Sequence, residues 1–279
     1  MKTLAAASGF LSILGSGAVS SAVPPSFLPP DLAGLELWLD SADVTTILEE
    51  DTVDFVSRWN DKGSLGFDVT QGISADQPKT RVNTLRGLNT ITFDGIGDRL
   101  SNLDFDGLDE ADGYTIFLLI SMTRTNREGL FALTDNGGHG EFLEKNSNYR
   151  FLHRFPYGSA VNDDLNNIGT VTLGPQILTY ARDKAGNSQE MFKDGVSIGS
   201  LGTLVSDAYD NVMKEINLGT LSPNSAAFSF DGDMCEIIIY SRALLVAERE
   251  EVEDYLFNKW LAPLPFPFAF SSDFSSDFS

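Results

Sequence analysis

The chain has 279 residues and a formal net charge of −21, from 40 acidic and 19 basic side chains. Binding phosphate needs a clustered basic face, so this balance excludes nucleic acid as an expected partner and leaves solubility in a saline or extracellular medium, or cation binding, as readings of the charge. The length suits one large β-sandwich with tails, and 25 glycines with 11% aromatic residues suit many strands joined by tight turns.

Residues 1–22, MKTLAAASGFLSILGSGAVSSA, combine one Lys, an apolar middle and small residues at Ser20 and Ala22. That pattern predicts either a secretory signal cleaved after Ala22 or an N-terminal arm. No other run is long and apolar enough to span a bilayer. Four prolines in 23–30 make an extended linker. Beyond it, apolar runs alternating with Gly, Asp and Asn clusters predict strands over 35–39, 90–93, 114–122, 129–133, 150–155, 177–182, 190–193, 196–198, 215–218 and 234–240. Asp194-Gly195 is a two-residue hairpin signal, because such turns demand positive φ. In 234–240, Cys235, Ile237 and Ile239 alternate with Met234, Glu236, Ile238 and Tyr240, so both faces of this strand are expected to be covered. The lone cysteine, Cys235, permits no internal disulfide and is expected to be a buried, inert thiol. No Asn-x-Ser/Thr glycosylation acceptor occurs in the chain.

One amphipathic helix follows. Leu245, Val252, Leu256 and Trp260 recur at helical spacing, Glu248, Glu250, Glu251 and Glu253 crowd its first half, and Lys259 stands at its end, which suits the helix dipole. No Ser or Thr caps its start, and packing by Leu245 is expected to replace the cap. The remainder, 262–279, is rich in Pro, Phe and Ser. Its regular phenylalanines suggest a tail that docks on a partner or neighbouring subunit, with a functionless end as the other reading.

The stretch Phe230-Asp231-Gly232, Glu236, Tyr240-Ser241-Arg242-Ala243-Leu244, Glu248, Tyr255-Leu256 and Lys259-Trp260 resembles the end of laminin-G-like, concanavalin A-like lectin-glucanase jelly-roll domains. Earlier segments match in the expected order: Leu35-Glu36-Leu37-Trp38-Leu39-Asp40, then Val56-Ser57-Arg58-Trp59-Asn60-Asp61-Lys62, then the TITFDGIGDRL run at 90–100. The specificity lies in that order, which covers roughly 31–261. The resemblance implies an all-β, two-sheet antiparallel jelly-roll sandwich with one short C-terminal helix. It also implies a non-catalytic recognition module, secreted or displayed on a surface, that binds carbohydrate or protein. A self-assembling subunit of a virion, fibre or cell-surface layer, using its terminal arms, is the alternative, and a glycoside hydrolase is the weaker one.

Four chemistries follow from the residues. Gly195-Val196-Ser197-Ile198-Gly199 matches the G-x-S-x-G nucleophile elbow, but inside a hairpin rather than between strand and helix, so a chance match is expected. Asp231 and Glu236 are the only candidates for a glycosidase pair, although turn and strand architecture, with Glu236 paired to Arg242, explains them better. Calcium is a candidate cofactor, since the resemblance implies rim turns, here bearing Asp94, Asp98, Asp231 and Asp233, with Asp40 and Asp61 as further candidates; the other reading is that these acids only bond the backbone of their own turns. For a ligand, the aromatic and basic cluster Tyr149, Arg150, His153, Arg154 and Tyr157 offers rings to stack on sugars and donors for hydroxyls, against the reading of a core strand with a solvated Arg face. Trp38, Trp59 and Trp260 are expected in the core.

Overall fold

The computed structural model describes residues 27–49, 53–108, 113–134, 140–154, 163–204, 213–221 and 228–263. The expected signal or arm at 1–22, the first half of the linker (23–26) and the tail from 264 lie outside the described residues.

Two antiparallel sheets pack face to face as a jelly-roll sandwich, with one short helix on the outside. The first sheet runs Val196–Leu201, Ser188–Lys193, Gly174–Asp183, Tyr114–Met122, Asp231–Tyr240, Leu88–Asp94, Lys79–Leu85. Its opening strand, Leu35–Asp40, pairs with the second half of Asp231–Tyr240, whose first half pairs with Leu88–Asp94. The second sheet runs Leu165–Ile168, Asn148–Arg154, Gly140–Asn146, Glu128–Thr134, Glu215–Leu218, Leu100–Asn102, Val69–Thr70, Val56–Trp59, Ile47–Glu49.

Period-2 alternation decides which side chains meet. From Tyr114–Met122, Ile116, Leu118 and Ile120 enter the core between the sheets, facing Leu130, Phe131, Leu133, Ile216 and Leu218 of the second sheet. The intervening Phe117 and Leu119 point the other way and join Val252, Leu256 and Trp260 of the helix in a second apolar cluster. The first sheet is therefore covered on both faces, which explains the nearly unbroken apolar run of its central strands. Trp38, Trp59 and Trp260 are all buried, as expected.

In Asp231–Tyr240 the strict alternation fails at one place. Met234 pairs with Ile120 and Glu236 with Leu119, so an extra residue bulges out at Cys235. The bulge turns both Cys235 and Glu236 towards the helix and resets the phase, returning Ile237 and Ile239 to the inter-sheet core.

Glu236 consequently takes the centre of the helix attachment rather than pairing with Arg242. Its Oε1 accepts from Trp38 Nε1 at 2.7 Å and Tyr255 OH at 2.8 Å, and its Oε2 from Lys259 Nζ at 2.7 Å and Trp260 Nε1 at 2.6 Å. Lys259 also reaches Asp40 at 2.7 Å, and Asp40 holds Lys62 at 2.9 Å. Burial and the neighbouring Asp40 push the Glu236 carboxyl upward, while Lys259 and Trp260 pull it back.

The helix runs Val246–Leu256 and widens into a π turn over Phe257–Leu261. Leu245 does not pack over its start, being 70% exposed. Glu248 does the capping instead: its Oε2 accepts the Leu245 amide at 2.9 Å, and Arg242 grips both its oxygens at 2.7 and 2.8 Å. The Arg242 fork and that amide hold the Glu248 carboxyl down at about 2.

Candidate functional site

The outer face of the second sheet, away from the core, is polar. Inward residues of its strands are Phe131, Leu133, Ile216 and Leu218, so alternation puts Ala132, Thr134, Glu215 and Asn217 outside. Register extends one row across five strands: Arg58 opposite Thr70, Thr70 opposite Ser101, Ser101 opposite Asn217 and Asn217 opposite Ala132. Strand spacing makes that row about 19 Å long. Its middle is built from small side chains, flanked by longer polar ones such as Arg58 at one end and the Thr134–Glu215 pair, which bonds at 2.8 Å.

Asn217 holds the one unusual group of this row. Ser101 Oγ donates to its Oδ1 at 2.8 Å, whereas its Nδ2 is buried and has no hydrogen-bond partner among the described residues. A buried amide donor left unpaired costs about 1–3 kcal/mol; Asn217 and its neighbour Ala132 are both fully buried, so the part of the row that reaches solvent is Arg58, Thr70 and Ser101.

The sequence-predicted ligand cluster divides at this sheet. Tyr149 is fully buried, with Phe151, in the inter-sheet core, and its hydroxyl donates to Gln176, so it has no ring face for a sugar. The strand begins at Asn148, and the odd positions carry the core while Arg150 lies on the outer face with Asn166 Oδ1 3.0 Å from its Nε. The side chains of His153 and Arg154, and all of Tyr157, lie outside the described residues.

The four rim acids are engaged within the chain. Asp94 Oδ1 accepts the amides of Ile96 and Gly97 at 2.8 and 3.2 Å, and the Asp94 amide donates to Asp98 Oδ2 at 2.9 Å. Burial, reinforced by Asp94, raises the Asp98 carboxyl to about 7. Asp233 Oδ1 accepts from Asn83, Thr90 and Thr92. Asp231 accepts from Thr123 Oγ1 at 2.6 Å and stands 3.5 Å from the Arg124 guanidinium. Arg124 also binds Glu128 and donates to the Gly95 carbonyl at 3.1 Å. Gly95 is at φ +72°, and any Cβ there would strike Arg124 and Asp231, so glycine lets the guanidinium close over the turn. Of the further candidates, Asp61 caps loop amides of Trp38, Gly63, Gly66 and Phe67, and Asp40 holds the two lysines described above. No cluster of three or more His, Cys, Asp or Glu side chains among the described residues is arranged to hold a metal ion.

Asp231 and Glu236 do not form a hydrolytic pair. Five residues of strand set them roughly 15 Å apart, against about 5 to 9.5 Å for glycosidase carboxyl pairs, and Glu236 is sealed under two tryptophans. Ser197 lies in the second strand of the Asp194-Gly195 hairpin, without the strand-to-helix turn of a nucleophile elbow.

No family model matches the chain, and no curated protein matches it in sequence. Solved structures do. Trypanosoma rangeli sialidase in complex with 2,3-difluorosialic acid superposes with a TM-score of 0.57 at 15% identity, over 82% of this chain and 33% of that one. The likeness is one of fold. Domain 4 of AbnA, a GH43 extracellular arabinanase from Geobacillus stearothermophilus, in complex with arabinotriose, gives 0.56 at 16% identity, over 79% of this chain and 97% of that domain. The receptor binding domain of botulinum neurotoxin D gives 0.56 at 13% identity, over 79% and 52%. The chain thus spans about a third of the sialidase but nearly all of the arabinanase domain. Among the described residues, no helix is long and apolar enough to cross a membrane.

Proposed function

We propose that the chain is a non-catalytic, secreted or surface-displayed recognition module that binds an oligosaccharide across the outer face of its second sheet. The observation that carries this reading is the solvent-reaching row of Arg58, Thr70 and Ser101 on adjacent strands of that face. A guanidinium and two hydroxyls suit sugar hydroxyls, which both donate and accept. The exposed part of the row, about 10 Å long, accommodates one or two sugar rings. The domain of the arabinanase that shares this fold is a separate unit seen with arabinotriose, which supports a stand-alone binding role without fixing the sugar.

A glycan array that includes arabino-oligosaccharides and sialylated glycans tests the reading, with wild type and the R58A/T70V variant side by side. Retention by wild type and loss in R58A/T70V is the expected result. No retention of any glycan, or equal retention by both proteins, contradicts it. Running the array with calcium and with a chelator tests the candidate cofactor at Asp94, Asp98, Asp231 and Asp233: a calcium role requires chelation to weaken retention.

A further inference from the structure

On the opposite side of the sandwich, the helix and the Asp194-Gly195 turn frame an open groove of about 720 Å³. Pro175 and Ile177 form its floor, and residues 250, 253, 254, 257 and 261 form one stripe of the helix along its wall. Four carboxylates line it, from Asp194, Glu250, Glu253 and Asp254, and among the described residues no lysine or arginine does. Two of these acids are already spoken for. Glu253 is paired with Arg249 and bonded by Thr179 at 2.7 Å, and Asp194 accepts the Ile177 amide at 2.9 Å. Glu250 has only a 3.6 Å contact with Arg249, and Asp254 has no ion pair among the described residues. Both are exposed at one end of the stripe, and Phe257, 46% exposed, with Leu261 makes an apolar patch at the other.

We propose that this groove docks an extended basic segment of another protein in which Lys or Arg precedes an apolar residue by three positions. Charge complementarity selects a cation, and the half-exposed Phe257 selects the apolar neighbour. The spacing follows from the helix: Glu250 to Phe257, and Asp254 to Leu261, are each seven residues apart, a rise of about 10 Å, which three residues of extended chain span. The groove volume falls in the range that binds ligands of this size. This site is separate from the row of Arg58, Thr70 and Ser101 and does not depend on sugar binding.

The probe is the labelled peptide acetyl-Gly-Lys-Lys-Ala-Phe-Leu-Gly-amide, titrated with the full chain and read by fluorescence anisotropy. Saturable binding that weakens with added salt is expected, with a loss of about tenfold or more in E250K/D254K and in Phe257→Ser. Glu251→Lys, which changes charge at an exposed helix position outside the groove lining, and R58A/T70V are expected to bind as wild type. Circular dichroism melts confirm that each variant is folded. The proposal is overturned by no saturable binding, by equal binding of the peptide with Glu in place of Lys, by Glu251→Lys weakening binding as much as E250K/D254K, or by displacement of the peptide with arabinotriose.

Discussion

Replacing Glu236 tests how the helix is fastened to the sandwich. The Glu236 carboxylate is the acceptor for two indole N–H groups, one phenol and one ammonium, all inside 2.8 Å. In Glu236→Leu those donors lose their acceptor while remaining covered. Each unsatisfied neutral donor costs about 1–3 kcal/mol, and removing one partner of a buried ion pair costs about 3–5 kcal/mol. The contributions overlap, and Lys259 keeps Asp40 at 2.7 Å, so the expected loss is about 4 kcal/mol in total. Glu236→Gln keeps the volume and one acceptor oxygen, and its expected loss is about 2 kcal/mol. Urea unfolding followed by tryptophan fluorescence and far-UV circular dichroism measures both. Trp38 and Trp260 report the attachment directly. A loss below about 1 kcal/mol in Glu236→Leu would refute the reasoning, as would a Gln variant less stable than the Leu variant.

Three further outcomes follow from the same contacts. Asp98, raised to about 7 in the fold against about 3.9 unfolded, holds its proton more tightly when folded; its contribution is full below about pH 4 and is lost as pH rises through 7. Asp98→Asn is therefore expected to flatten the stability profile between those limits and to stabilise the protein at pH 8 by about 1–3 kcal/mol, below the roughly 4 kcal/mol that the full shift sets as a ceiling; an unchanged profile in thermal melts contradicts this. Arg242→Ala removes the fork from Glu248 and is expected to cost about 1 kcal/mol at neutral pH, discounted for solvent screening. Because the Glu248 carboxyl is held at about 2, that difference from wild type is expected to be present above about pH 4 and to vanish as pH falls through 2. Cys235 is fully buried, and burial pushes its thiol up, so a thiol-reactive dye is expected to label it only at the rate of unfolding; fast labelling of the native protein contradicts the bulge placement.

Each of the ten predicted runs overlaps a strand, from 35–39 through 234–240, whereas Val56–Trp59 and Gly140–Asn146, which also bring Val56, Trp59 and Leu143 to the core, were not predicted because each carries only two apolar side chains among polar ones. Lys79–Leu85 and Leu165–Ile168 were not legible because they stand at the ends of their sheets, where polar sequences such as KTRVNTL and LNNI carry no apolar alternation. Asp194-Gly195 does turn a hairpin, at φ +49° and +76°. The bulge at Cys235 has no local signature: its residues alternate faultlessly on paper, and only pairing with Tyr114–Met122 exposes the extra residue. Glu236 shares a face with Ile238 and Tyr240, as alternation places it, and was misassigned to Arg242 because its partners Trp38, Tyr255, Lys259 and Trp260 come from segments 19 or more positions away. Tyr149 read as a ligand ring or, more readily, as part of a core strand, and it is buried in the core. The polar row of the second sheet was least legible of all. Ser101 and Asn217 are 116 positions apart in the chain, and only the register of Leu100–Asn102 against Glu215–Leu218 brings hydroxyl and amide together.

Binding of an oligosaccharide to the outer face of the second sheet through Arg58, Thr70 and Ser101 is tested most directly by calorimetric titration of the best glycan from the array into wild type and R58A/T70V, with urea unfolding of both proteins alongside. At least tenfold weaker binding in the variant is expected, corresponding to about 1.4 kcal/mol, with stability within about 0.5 kcal/mol of wild type because both replaced side chains are exposed. Undiminished affinity in the folded variant would contradict the binding face.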